Sequence, residues 1–194
     1  MRNPVKIGRR VYLRLVEPDD ARLFADASHL EIETRFQDDG RVPVSVLAHQ
    51  HWIRASGRRG TPEEISFAIC RVEDDVCIGG TTLRHIDWIN RTAETGTGLF
   101  AMTDRGKGLG TEAKHLLLEY AFVDLGLHAL NSMVYEHNTR SAAALAKQGY
   151  RLAGRLTADV QQGGGFHDTL VFDITRENWE RAYARWRDEQ AGVT

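Results

Sequence analysis

The sequence predicts a single mixed α/β domain of the α+β type. Three observations carry that expectation. The chain has 194 residues, the size of one ordinary domain with a sizeable core. Strand-like and helix-like segments follow one another in the order β α α β β β α β α β β α, with no repeat, low-complexity tract or interdomain linker between them. Several neighbouring strands are joined by short polar turns, which calls for mostly antiparallel pairing.

The elements are read in chain order. Val11 to Val16 alternates large apolar and other residues and reads as a strand. Glu17-Pro18-Asp19-Asp20 is a helix start, with proline and acids in the first turn, and Leu23, Phe24, Ala27 and Leu30 continue at helical spacing. A second helix is expected from near Pro43 to Ser56, with Val46, Leu47, Trp52 and Ile53 as its apolar members, and Gly57 to Pro62 breaks it. Ile65–Val72 and Val76–Arg84 flank Glu73-Asp74-Asp75 and predict a hairpin, and a fourth strand runs from about Ala93 to Ala101. Gly108 to Leu125 is the most periodic helix, stopped by Gly126. Ala129–Tyr135 is the fifth strand. Thr139–Lys147 is a helix capped by Asn138 and ended by Gly149. Tyr150–Leu156 and His167–Ile174 form a hairpin around Gly163-Gly164-Gly165, and a last helix covers about 176–188, with Trp179, Tyr183 and Trp186 on one side.

Composition narrows the function classes. Hydrophobic residues make up 42% and charged residues 27%, which excludes intrinsic disorder as the main state. Lys+Arg is 25 and Asp+Glu 27, a formal charge of −2, so direct nucleic-acid binding is not expected. The longest uncharged stretches fall short of the roughly 18 residues that a membrane helix needs, and Met1 to Lys6 leads into no apolar signal segment. Cys70 and Cys77 make no disulfide framework and fit no four-ligand metal spacing; they read as small core side chains in a cytoplasmic protein. His49 and His51 lack a third ligand, and no metal site is expected.

The most informative stretch is Arg105-Gly106-Lys107-Gly108-Leu109-Gly110-Thr111-Glu112-Ala113, which leaves a strand and opens a long helix. Its glycines permit unusual φ and close backbone approach. Free N–H groups converge at the positive end of the helix dipole, which suits a pyrophosphate. The Walker pattern is absent. Gly108 to Ala113 matches the loose dinucleotide fingerprint, with Glu136 as a ribose acid, but the preceding antiparallel strands do not supply the βαβ units of a nicotinamide enzyme.

Arg105-x-x-Gly108-x-Gly110 resembles the (Q/R)xxGx(G/A) signature of the GNAT superfamily of acyl-CoA-dependent N-acetyltransferases. Glu94 to Met102 resembles the strand that leads into it. Asn138 to Ser141 followed by Lys147-Gln148-Gly149-Tyr150 resembles the second motif, NxxSxxxxxKxGF. Leu13-Arg14 to Asp20 resembles the LRxxxxxD start of the ribosomal-protein N-terminal and spermidine acetyltransferase branch. Arg151 to Gly154 and Gly165 to Asp168 resemble its GFxxEG and GxYxD segments. The resemblance covers about residues 11–174.

The resemblance implies a twisted, mostly antiparallel sheet splayed between its fourth and fifth strands, with helices on both faces and acetyl-CoA in the split. It places the pyrophosphate on the N–H groups of Gly106, Lys107, Gly108, Gly110 and Thr111, with Arg105 and Leu109 completing the signature. Phe100, Ala101 and Met102 would pair with the pantetheine arm, and an N–H of this stretch would polarise the thioester carbonyl. Asn138 and Ser141 would face the pantetheine and sulfur end, and Lys147 the adenine-ribose end. It also implies direct attack of a neutral primary amine, from a protein N-terminus or a polyamine-like molecule, after a carboxylate takes its proton. Glu94 is the first base to consider, the alternative being an exposed strand residue paired with Arg84 or Arg91. Glu136 is the second, the alternative being a solvated strand end. Asp87 and His85 read as loop residues.

The family's tyrosine acid falls at Leu145, so that role is vacant or moved; Ser141, Tyr135 and solvent are the alternatives. A non-catalytic acyl-CoA-binding module is the competing reading. The acceptor end would draw on the acidic stretch Glu31, Glu33, Asp38 and Asp39 and on Phe36, Trp52 and Trp88; Arg54, Arg58 and Arg59 form a small basic cluster. A homodimer is a family-level expectation.

Overall fold

The computed structural model describes residues 1–30, 44–56, 60–162 and 164–191. The acidic stretch from Glu31 to Asp39 with Phe36, the arginines Arg58 and Arg59, and Gly163 lie outside the described residues. The chain folds into two compact units, each built from separate sequence segments: Met1–Ile86 with Gly96–Leu117, and Asp87–Thr95 with Leu118–Thr194.

The first unit holds β1 (Lys6–Ile7), β2 (Val11–Leu15), β3 (Ile65–Arg71), β4 (Cys77–Asp87) and the second half of β5 (Thr92–Leu99). It also holds α1 (Ala21–Leu30), α2 (Val46–Ser56) and most of α3 (Leu109–Glu119). Neighbouring strands β1 to β4 pair antiparallel. Ser66 to Cys70 of β3 are buried without a break, which marks a strand covered on both faces. The sheet core is Tyr12, Leu13, Phe67, Ile69 and Leu83.

Within this core sits one charged pair. Arg14 and Asp20 are 5% and 7% exposed and meet through two hydrogen bonds of 2.7 Å. Asp20 also accepts the Glu17 N–H at 2.8 Å, closing a capping box. The helix start expected at Glu17 is therefore first a 3-10 turn, Pro18–Asp20, with α1 opening at Ala21. The Arg14 and Asp20 of the branch marker are a single buried ion pair.

The second unit holds the first half of β5, β6 (Ala129–Tyr135), α4 (Thr139–Lys147), β7 (Arg151–Gln162), β8 (Gly165–Thr175) and α5 (Arg176–Ala191). Through β5 the full strand order becomes β1-β2-β3-β4-β5-β6-β8-β7. The β5–β6 pair is parallel and its ladder covers only Thr92–Glu94 against Ala129–Asn131. Beyond it, side chains take over: the Thr95 hydroxyl donates to Asn131 O at 3.0 Å and the Ser132 hydroxyl to Thr95 O at 3.0 Å. This is the seam between the fourth and fifth strands of the sequence reading, and its ladder is three residues long.

Several elements differ from the sequence reading. The short β1 has no periodic signal in two residues. The helix expected to run to Leu125 stops at Glu119 and widens into a π-helical turn, Tyr120–Asp124, closed by Leu125 N–H to Tyr120 O at 3.0 Å. β4 continues to Asp87, whose carboxylate then organises the turn by accepting the Ile89 and Asn90 N–H groups. The last hairpin is longer than expected at its tip because β7 is exposed over Arg151–Asp159 and its polar composition hides the strand. Two register shifts bend it, and Asp168 fills the second one, accepting Arg155 Nη1 at 2.7 Å and Ala158 N–H at 2.9 Å.

In α5, Trp179 is 3% exposed against Phe122, and Tyr183 and Trp186 stack behind it. The aromatic side of that helix thus packs at Trp179 on the same chain. Among the described residues, no helix is long and apolar enough to cross a membrane.

Candidate active site

The glycine-rich turn follows β5 in the first unit. A 3-10 turn, Met102–Asp104, leads from β5 into it. Gly106 and Gly108 both take positive φ, +77° and +79°, which an L side chain rarely adopts. The first α3 hydrogen bond formed after the turn is Glu112 N–H to Gly108 O at 3.0 Å. By helix geometry the N–H groups before it have no carbonyl one turn back. Gly106, Lys107 and Gly108 are exposed, while Leu109 is buried and anchors the helix start.

What holds this turn in place was not legible in the motif. Glu112, in the first turn of α3, is 1% exposed. Its carboxylate accepts Arg10 N–H at 2.7 Å, Arg10 Nε at 2.9 Å and Val11 N–H at 3.3 Å. Arg10 Nη1 then donates to Lys107 O at 2.7 Å. A Cβ at Gly108 would stand 3.1 Å from the same guanidinium, and one at Gly8 only 2.5 Å from the Glu112 carboxylate. Arg10 therefore pegs the turn and pairs the buried acid next to the N–H groups that open α3. Neither residue stood out in the sequence, because they are 102 positions apart.

The end of β5 is fixed from both sides. Arg105 donates through Nε and Nη2 to Leu99 O at 3.3 and 3.0 Å, so the signature arginine ties the turn to the strand end. Asp104, 7% exposed, accepts Arg71 Nη1 at 3.0 Å. Phe100 N–H donates to Ile78 O at 2.9 Å, and the Phe100 ring meets Phe24 edge-on at 5.1 Å. Ala101 and Met102 follow, both exposed, their carbonyls closing the 3-10 turn with Asp104 and Arg105 N–H groups. A Cβ at Gly79 would clash with Gly98 O, so glycine is needed where β4 runs against β5.

The second unit carries the remaining residues. Glu94 is 6% exposed, in the last ladder position of β5 opposite Asn131, so it is not an exposed strand residue. Asn138 Oδ1 accepts Ser141 N–H at 3.2 Å and caps α4, with Ser141 half-buried in the first turn. Leu145 is buried and Lys147 exposed. Glu136 is engaged on three sides: Asp168 N–H at 3.2 Å, Arg155 at 3.5 Å and His167 at 3.8 Å. Tyr135 is 7% exposed and stacks on His137. Tyr150 hydrogen-bonds Thr95 Oγ1 at 2.7 Å, and burial pushes its phenol well above the usual tyrosine range. It joins α4's C-terminal side to the β5–β6 seam.

These features fit an acyl-CoA: a basic, glycine-built anion site at a helix N-terminus, preceded by a strand end that can accept a pantetheine arm. The comparisons agree. The "Acetyltransferase (GNAT) domain" profile matches residues 10–151. The Bacillus subtilis (strain 168) protein named "Putative ribosomal N-acetyltransferase YdaF" is 26% identical over 184 residues, covering 90% of this chain and 96% of that protein. The Mycobacterium smegmatis RimJ structure in complex with CoA-disulfide superposes with a TM-score of 0.77 at 26% identity, over 91% of this chain and 90% of that one. The Vibrio cholerae spermidine N-acetyltransferase in complex with CoA and spermine has a TM-score of 0.78 at 20% identity, over 87% and 97%, which is a likeness of fold. Neither the dinucleotide reading nor the non-catalytic module gains support from them. With the cradle and the family profile in agreement, the chain belongs to the GNAT acetyltransferases and is an N-acetyltransferase that moves the acetyl group of acetyl-CoA to an amine.

Proposed function

We propose that the acceptor is the α-amino group of a protein N-terminus of the ribosomal-protein type. The observation that carries this reading is Leu145, a buried side chain with no acidic proton where the motif that the sequence resembles has a tyrosine. The missing acid is tolerable, because a thiol with a pKa near 8.5 leaves readily as thiolate and takes its proton from solvent. The acceptor then decides how hard deprotonation is. At pH 7 roughly a tenth of α-amines are neutral, against fewer than about one in a thousand lysine-like amines. A buried Glu94 carboxylate, with leucine at the position of the motif's tyrosine, suits the easier nucleophile. The likeness to YdaF supports the same acceptor.

In this reading Glu94 takes the amine proton, directly or through water, and Ser141 lies nearest the sulfur. Glu136 is held by Arg155 and His167 and serves the hairpin. The N–H groups of Gly106, Lys107, Gly108, Gly110 and Thr111 receive the pyrophosphate. Phe100 O with the Ala101 and Met102 N–H groups receives the pantetheine arm, and Asn138 and Lys147 complete the cofactor contacts. The two compact units act as one N-acetyltransferase domain over residues 1–194, as the match across both of them supports. The protein works in the cytoplasm, where its acetyl donor is available, and pairs as a homodimer; a spermidine acetyltransferase of the same fold is dodecameric.

The test is release of free CoA thiol from acetyl-CoA with three acceptors: peptides carrying ribosomal-protein N-termini, the same peptides blocked at the N-terminus, and spermidine. Turnover confined to the unblocked peptides is the expected result. Turnover with spermidine alone would transfer the assignment to a polyamine. Acetyl-CoA is expected to raise the melting temperature saturably, as a ligand of the folded state must.

A further inference from the structure

Cys70 and Cys77 face each other. The β3–β4 register pairs them directly, across the shift that sets Ile78 out of the ladder. Opposed antiparallel residues lie about 4.5–5.5 Å apart at Cα, within the span that a disulfide bridges. Both are thiols here. Cys70 is fully buried, whereas Cys77 is half-buried, so a small oxidant meets the pair from the Cys77 side. On the other flank, Tyr12 of β2 stands opposite Cys70, with Arg14 two residues further along the same strand face. The hydrogen bond from Cys77, the Arg14 charge and the Tyr12 hydroxyl bring the Cys70 thiol down to about 6, and the same contact with burial pushes Cys77 up. The Cys77 thiol donates to Gly79 O at 3.5 Å, and Cys70 is the sulfur whose surroundings favour the thiolate.

The pair also stands beside two anchors of the acetyl-CoA site. Arg71, next to Cys70, holds Asp104 at 3.0 Å in the turn that enters the glycine cradle. Ile78, next to Cys77, gives its carbonyl to Phe100 N–H at 2.9 Å. A bond between the sulfurs acts on both neighbours at once.

We propose that Cys70 and Cys77 are an oxidisable dithiol, a modification site for peroxides, and that closing it into a disulfide weakens acetyl-CoA binding. One sulfur attacks the peroxide O–O bond and becomes a sulfenic acid, releasing water from hydrogen peroxide or an alcohol from an organic peroxide. The second sulfur attacks the first, forming the S–S bond and expelling the oxygen as water. Two thiols are oxidised and one peroxide is reduced. The dithiol stands on the β3–β4 geometry alone; its effect on acetyl-CoA rests on the site described above.

The test treats reduced protein with hydrogen peroxide, unfolds it, alkylates free thiols and measures intact mass. Wild type is expected to lose two hydrogens and both alkylation sites, reversibly with a phosphine reductant. Calorimetric titration of the peroxide-treated, folded protein is expected to show acetyl-CoA binding weakened roughly fivefold or more. Cys77→Ser and Cys77→Ala are expected to keep their affinity after the same treatment. Two alkylatable thiols in peroxide-treated wild type would overturn the dithiol, and a disulfide with unchanged affinity would overturn the coupling. Reduced protein that fails to bind acetyl-CoA would instead indict the cofactor site, because the mass measurement does not involve it.

Discussion

Single residues at this site act mainly by holding backbone where a ligand can use it. Gly108 needs its φ of +79° and has Arg10 against its α-carbon. Gly108→Ala is expected to cost about 1–2 kcal/mol of stability and to weaken acetyl-CoA binding at least about tenfold, read by urea unfolding and calorimetry. Arg10 holds both Glu112 and Lys107 O, so Arg10→Ala leaves a carboxylate that is 1% exposed with backbone N–H partners but no cation. A loss of about 2 kcal/mol is expected, relieved in part by adding Glu112→Gln, and the double variant's melting curve checks it. At the chemical step, Glu94→Gln is expected to lower kcat about a hundredfold at pH 7 with little change in the KM for acetyl-CoA. Glu136→Gln is expected to stay within a few-fold, because that carboxylate is committed to Arg155, His167 and the Asp168 backbone. Equal loss in both variants would remove the distinction drawn between them.

Among the elements, the motifs that mark this branch turn out to be joints. Leu13-Arg14 to Asp20 couples β2 to the start of α1 through a buried bidentate pair. The bonded Asp20 carboxylate raises the Arg14 pKa, so the guanidinium stays charged at any accessible pH. Asp20→Ala is expected to cost about 3 kcal/mol or more, since it leaves that charge buried alone, and a chemical denaturation curve reads it. The aspartate of the Gly165 to Asp168 segment plays the same part in the outer hairpin, holding Arg155 and the strained Ala158 at φ +52° in the β7 bulge. Arg105 ties the turn to Leu99 O, and Asn138 caps α4.

For the whole molecule, the buried ionisable groups set how stability follows pH. His115 in α3 is 1% exposed, and burial lowers its pKa from 6.5 to about 4. The unfolded chain takes up that proton near pH 6.5, while the folded chain refuses it until about pH 4. The contribution is therefore complete above pH 6.5 and is lost progressively as the pH falls towards 4. Unfolding free energies at pH 7, 5 and 4 are expected to fall by up to about 3 kcal/mol from this group, and His115→Leu is expected to flatten that part of the curve.

The sequence by itself determined the element order, the strand-to-helix glycine turn and the family, because each of these is written locally. Helical spacing, the strand-to-helix glycines at 106, 108 and 110, and the Asn138 cap all act within a few residues of one another. Boundaries failed where local chemistry was silent: the polar, exposed end of β7 and the π-helical turn at Tyr120–Asp124 carry no period of their own. Only the tertiary structure showed Arg10 on Glu112, Tyr150 on Thr95 and Cys70 against Cys77. It also gave Glu94 its burial and Glu136 its ion pair with Arg155. The physical reason is common to all of them. A buried polar group needs a partner, and the chain supplies that partner from whichever strand or turn the fold brings alongside, at separations that no local pattern encodes.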